Sequence, residues 1–142
     1  MGRILSIDYG AKRTGLAVTD PCRIIANGLP TVKTHLLMDF LRDYLRRETI
    51  DLVVIGMPVQ TNGTPSENAQ RVQAFIAQFK KTFPATPIEQ YDERFTSVLA
   101  HQTMLQSGIS RTARQDKSLV DEISATIILQ SYMESRQYKQ HT

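Results

Sequence analysis

Three carboxylates stand where short elements of the chain end: Asp8, Glu93 and Asp121. Asp8 closes Ile4-Leu5-Ser6-Ile7-Asp8, which reads as a short strand. Aspartate is depleted in strands because its side chain competes for backbone hydrogen bonds, so an acid at the end of a buried strand needs a reason. One reason is local: the carboxylate can accept hydrogen bonds from the turn that follows. The other is chemical: a carboxylate held at the edge of a core is a natural ligand for a hard cation. Glu93, beside Asp92, ends the last strand of the pattern, and Asp121 lies in the first turns of the final helix. Asp121 shares a helical face with Ala125, Ile128 and Tyr132. Glu122 is its rival, and periodicity alone does not choose between the two.

Three such acids brought together would repel one another and resist burial. Divalent cations remove that cost. Two ions about 4 Å apart can bridge a scissile phosphate, activate a water and stabilise the leaving oxygen. Magnesium is the expected ion because it prefers oxygen ligands and keeps several waters. Manganese, with similar ligand preferences, is the substitute. His35, His101 and His141 are scattered and Cys22 is the single cysteine, so no Cys/His cluster competes for zinc or iron. The histidines and Cys22 are read as structural or surface residues.

Phosphate also needs cations from the protein. Lys12 and Arg13, in the turn after Asp8, and Arg94, after Glu93, are placed to meet a nucleic-acid backbone. For Arg94 an ion pair with a nearby acid is an equal alternative. Arg111, Arg114 and Lys117 make the stretch from Ser107 to Lys117 basic, and it has no apolar period. It reads as a mobile loop and candidate substrate clamp, the plain alternative being a solvated loop without function.

The elements that must position these groups follow from hydrophobic period. Ile4–Asp8 and Thr14–Val18, joined by a turn containing Gly10, read as a hairpin. Arg23–Pro30 reads as a third strand, weakened by Asn27-Gly28, which completes an antiparallel meander. Leu36, Leu37, Phe40, Leu41, Tyr44 and Leu45 then fall at helical spacing, with Thr34 placed as N-cap. Arg42, Arg46 and Arg47 lie off that stripe and read as a solvated basic face. Ile50–Gly56 carries a nearly continuous aliphatic run, as a central parallel strand does. Thr64-Pro65-Ser66-Glu67 starts a helix buried through Val72, Phe75, Ile76 and Phe79. Pro87–Asp92 is a more polar strand, nearer an edge, followed by a helix from Thr96 or Ser97 to about Gln106. The final helix runs from about Ser118 to Ser135, and a polar tail begins at about 137. A meander joined to right-handed strand–helix–strand units gives a mixed five-stranded sheet, three antiparallel strands then two parallel, with helices on its faces. The ribonuclease H-like α/β fold has this arrangement.

With 142 residues the chain fits one domain, 1–142. Lys and Arg exceed Asp and Glu by only 17 to 14, which permits a nucleic-acid partner without requiring one. A lone cysteine excludes an internal disulfide. Arg3 and Asp8 interrupt any signal-peptide pattern, and Leu52–Val59, the longest nearly apolar stretch, is too short to span a bilayer. The expectation is a cytoplasmic protein with no membrane partner.

Four blocks in order carry a resemblance. They are Asp8-Tyr9-Gly10 with Lys12, Gly15 and Ala17-Val18; Gly56-Met57-Pro58 with Asn62-Gly63-Thr64; Asp92-Glu93-Arg94-Phe95-Thr96-Ser97; and Lys117 to Asp121 with Ser124-Ala125 and Ile127-Ile128-Leu129. Together they span nearly the whole chain, and in them the sequence resembles the YqgF family. That is the pre-16S rRNA nuclease or Holliday-junction-resolvase-like group of the ribonuclease H-like superfamily. The resemblance implies a metal-dependent nuclease with Asp8, Glu93 and Asp121 as catalytic and metal-binding triad, and it favours Asp121 over Glu122. It implies action on the small-subunit ribosomal RNA precursor or, by older analogy, on four-way DNA. Unlike resolvases of this fold, the central strand ends in Gly56-Met57-Pro58 without an acid, and the acid sits one strand further on. Phe95 and Ser124 stand where aliphatic residues and alanine are common in the family.

Two other classes compete. Asp8-Tyr9-Gly10 with Gly15-Leu16-Ala17 also resembles the phosphate loop of actin-like ATPases, which close two lobes on ATP; ATP binding by calorimetry would identify that class. A non-catalytic RNA-binding module would use the same face, but unmetallated acids repel phosphate.

Overall fold

The computed structural model describes residues 2–20, 26–57, 67–92 and 117–134, with the backbone alone at 67 and in 117–122. The strands are β1 (Arg3–Tyr9), β2 (Arg13–Thr19), β3 (Ala26–Lys33), β4 (Ile50–Met57) and β5 (Ile88–Asp92). The described helices are α1 (Leu37–Arg47), entered through a single 3-10 turn at Thr34–Leu36, α2 (Glu67–Thr82) and α3 (Lys117–Glu134). They form one sheet in the order β3-β2-β1-β4-β5. β1–β2 and β2–β3 pair antiparallel, whereas β1–β4 and β4–β5 pair parallel. The expected mixed five-stranded sheet is the one observed, with β5 at an edge.

Alternation along the strands sorts the core into two layers. Leu5, Ile7, Leu16, Val18, Val53 and Ile55 pack on one face with Leu37, Leu41 and Tyr44 of α1 and Val72, Phe75, Ile76 and Phe79 of α2. Ile4, Ala17, Val54 and Tyr91 pack on the other with Ala125, Ile128, Leu129 and Tyr132 of α3. β4 reads as an aliphatic run because it feeds both layers: Val53 and Ile55 face one, Val54 the other. Tyr132 also packs edge-on against Tyr91, at 6.0 Å between ring centroids, and donates a hydrogen bond to Glu89 at 2.8 Å.

Two local expectations change. β3 continues past Pro30 to Lys33, and Asn27-Gly28 sits inside the ladder opposite Val18 and Ala17. From Leu16↔Leu29 to Thr14↔Val32, β2 advances two residues while β3 advances three. This bulge, on an edge strand, is where a proline is tolerated, since its missing N–H breaks no ladder bond that the sheet needs. Residues 23–25 of the expected third strand lie outside the described residues. Thr34 does not cap α1 with its side chain. It bonds the β1–β2 turn instead, as described below. The expected helix after Thr96 and the stretch from Ser107 to Gln115 also lie outside the described residues.

Candidate active site at the carboxyl end of the central strands

β1, β4 and β5 are parallel, so their carboxyl ends share one edge of the sheet. The chain leaves β1 for β2 on one side and later returns to β4 on the other. In open α/β sheets the crevice outside the carboxyl ends at such a reversal is the usual ligand site. Asp8 is the penultimate residue of β1 at this edge and is partly buried.

Its surroundings are small. Asp8 pairs with Gly15 of β2. On the other side Ile7 pairs with Ile55, so Gly56 of β4 lies level with Asp8. Neither cross-strand neighbour carries a side chain, and both glycines are buried, so the chain packs closely over the sheet beside the carboxylate. Alternation puts Asp8 on the α3 side with Ile4 and Ser6. The buried Ser6 hydroxyl donates to the carbonyl of Ala125 at 2.6 Å, which joins β1 to α3 two residues before Asp8 and one helical turn after Asp121.

The turn after Asp8 is held from two directions. The Asn68 amide, in the first turn of α2, donates to the carbonyl of Tyr9 at 2.8 Å. The Thr34 hydroxyl donates to the carbonyl of Gly10 at 2.7 Å and lies 2.9 Å from the Thr14 hydroxyl. The Thr34 N–H donates to the carbonyl of Lys12 at 3.0 Å. Gly10 is required here because a Cβ would collide with the carbonyl oxygen of Arg13. Lys12 is exposed at the tip of the turn and Arg13 is partly buried at the start of β2.

Asp8, Lys12 and Arg13 therefore share one edge. Asp121 and Lys117 belong to α3, Lys117 as its first residue rather than part of the preceding loop, and their side chains are outside the description. Glu93, Arg94, Arg111 and Arg114 lie outside the described residues; Asp92 ends β5 at the same edge as Asp8. Among the described residues no three His, Cys, Asp or Glu side chains cluster closely enough to hold an ion. Asp8 itself fits a hard divalent cation in its oxygen donors and in its partly buried place near the carboxyl end of β1. The basic face of α1 is neutralised in part by its own helix: Arg42 pairs with Asp39 at 3.1 Å and Arg47 with Asp43 at 3.4 Å. Sequence reasoning missed Ser6, Asn68 and the partner of Thr34, because each bonds a backbone carbonyl remote in the chain.

A family model described as "RuvX: Holliday junction resolvase" matches residues 2–135. The chain belongs to this family. Curated relatives of the RuvX family match it over nearly their full length. A Bacteroides fragilis protein is 55% identical over 96% of this chain and 99% of its own, and one from Flavobacterium johnsoniae is 55% identical over 97% and 100%. Both carry the name "Putative pre-16S rRNA nuclease". Solved structures share the fold at low identity. RuvC of Thermus thermophilus with a Holliday junction substrate superposes with a TM-score of 0.58 at 17% identity, over 94% of this chain and 96% of that one. Fowlpox virus resolvase with Holliday junction DNA gives 0.54 at 20% identity, over 93% and 97%. The fold of this RuvX-family chain is thus the ribonuclease H-like fold read from its strand order. Among the described residues, no helix is long and apolar enough to cross a membrane.

Proposed function

We propose that this protein is a divalent-metal-dependent nuclease that hydrolyses phosphodiester bonds in the small-subunit ribosomal RNA precursor, near its 5′ end, in the cytoplasm. The whole chain, 1–142, acts as one nuclease domain. The observation that carries the reading is Asp8, a carboxylate between two glycines at the chain reversal, in a family whose close relatives are named as nucleases of this RNA.

Asp8, Glu93 and Asp121 are the residues to hold magnesium or manganese. Glu89 and Tyr91 belong to the α3 side of β5, the side of Asp8, and Asp92 ends that strand at the edge where Asp8 stands; Glu93 is carried by the family resemblance. Asp121 precedes by one turn the carbonyl that Ser6 holds. When bound, the metal supplies Lewis-acid polarisation of the scissile phosphate. The protein's own part is to fix carboxylate oxygens at one edge, to exclude side chains beside Asp8, and to present Lys12, Arg13 and Arg94 to phosphates flanking the scissile bond. Arg111, Arg114 and Lys117 clamp the substrate further out.

A second reading, resolution of four-way DNA, is favoured by the family description and by the fold shared with resolvases solved on junction DNA. Incubating purified protein with magnesium and a 5′-extended small-subunit rRNA precursor, a four-way DNA junction or unstructured RNA distinguishes them. Cleavage of the precursor that disappears in Asp8→Asn is the expected result. Junction cleavage alone would move the assignment to DNA, and no cleavage of any substrate would overturn the nuclease reading.

A further inference from the structure

The turn between β1 and β2 is tied down more than a hairpin needs. Hairpin turns of this length close by their own ladder bonds. Here Thr34, the residue after the end of β3, adds two bonds, one from its hydroxyl to the Gly10 carbonyl and one from its N–H to the Lys12 carbonyl. The Thr14 hydroxyl meets the Thr34 hydroxyl from the buried side. Asn68 holds the Tyr9 carbonyl from α2. Three carbonyls in four residues, Tyr9, Gly10 and Lys12, are thus engaged by groups outside the hairpin. The only exposed cation of the turn, among its described residues, is Lys12.

We propose that Gly10–Arg13 is a preformed phosphate-gripping rim and that Thr34 is its positioning residue. The inference rests on the nucleic-acid substrate of the proposed function and adds to it which residue sets the grip. A flexible turn must lose conformational freedom when Lys12 settles on a phosphate, and that loss weakens binding. A turn already held at Gly10 and Lys12 has lost it during folding. Thr34 contacts backbone carbonyls, so its effect on substrate passes through Lys12.

Coupling through Lys12 gives the test. Binding is read by anisotropy of a fluorescein-labelled RNA spanning the 5′ end of the small-subunit rRNA precursor, in an Asp8→Asn background. Lys12→Ala should lower the log–log salt slope by about 0.7 to 0.9, the value of one phosphate contact. Thr34→Val, nearly isosteric, should weaken binding in the same direction and speed amide exchange at Ala11–Arg13. Thr34→Ser should behave as wild type. The double variant Lys12→Ala/Thr34→Val should bind no worse than Lys12→Ala alone. In the Asp8 enzyme, Thr34→Val should raise KM with little change in kcat. If Thr34→Val does not fold, Asn68→Ala frees the same turn from α2 and should show the same non-additivity. Additive losses in the double variant, or wild-type affinity in Thr34→Val, would overturn the role of Thr34. Unchanged binding by Lys12→Ala would overturn the grip at this turn while leaving the nuclease reading standing. Failure of the parent protein to bind the RNA would overturn both.

Discussion

Ser6 and Ala125 are joined across 119 residues of sequence by a buried hydrogen bond of 2.6 Å from hydroxyl to carbonyl. The bond ties β1 to α3, the two elements that carry Asp8 and Asp121. A single buried hydrogen bond of this kind contributes about 1 kcal/mol net. Ser6→Ala should therefore lower thermal stability by about that amount, read as a small drop in the melting midpoint. Ser6→Val should cost more, about 1–3 kcal/mol, because added methyl groups push β1 and α3 apart. A Ser6→Val protein as stable as Ser6→Ala would show that the contact is not close-packed.

Asp8→Asn replaces one carboxylate oxygen by a near-isosteric amide. The fold should survive, with a melting curve close to wild type. Cleavage of the precursor RNA should fall by roughly a hundredfold or more, as when a group that stabilises transition-state charge is lost. Wild-type cleavage by a clean preparation would reduce Asp8 to a turn residue.

If Arg111, Arg114 and Lys117 grip substrate as proposed, replacing all three by alanine should weaken binding and flatten its salt dependence. Each lost phosphate contact removes about 0.7 from the slope on single-stranded RNA. Turnover at saturating substrate should change less than affinity. Filter binding across a salt series checks this, and an unchanged slope would leave Lys12, Arg13 and Arg94 as the grip.

Tyr91 and Tyr44 set an alkaline limit. Burial pushes the Tyr91 phenol above its usual value of 10.0, and Glu134 and Asp92 push the same way. Burial also raises Tyr44, helped by Glu48 and opposed by Arg3 and Arg47. Both groups keep their protons to higher pH in the folded chain than in the unfolded one. Above pH about 10 the folded state then binds more protons, so stability is complete below that pH and falls as pH rises through the folded values. Tyr91→Phe should flatten the fall in denaturation midpoint between neutral and strongly alkaline solution. An identical fall in the variant would exclude Tyr91 as a cause.

Local pattern alone determined most of the elements and the residues each of them buries. Alternation in Ile4–Asp8 and Thr14–Val18, the aliphatic run of β4, and the spacing of Val72, Phe75, Ile76 and Phe79 each report a period that burial imposes on neighbouring residues. The same pattern exposed Asp8 as an acid at a strand end. Tertiary structure alone decided what surrounds it. Gly15 and Gly56 become its neighbours only through strand pairing, and Thr34 reaches Gly10 only because β3 carries a bulge and runs on to Lys33. Thr34 looked like a helix cap because a hydroxyl before an apolar stripe satisfies free helix N–H groups; the nearby carbonyls of the hairpin turn took it instead. Periodicity records which face a residue is on, whereas hydrogen bonds between residues 24 or 119 positions apart depend on how separate elements pack, and no local spacing encodes that.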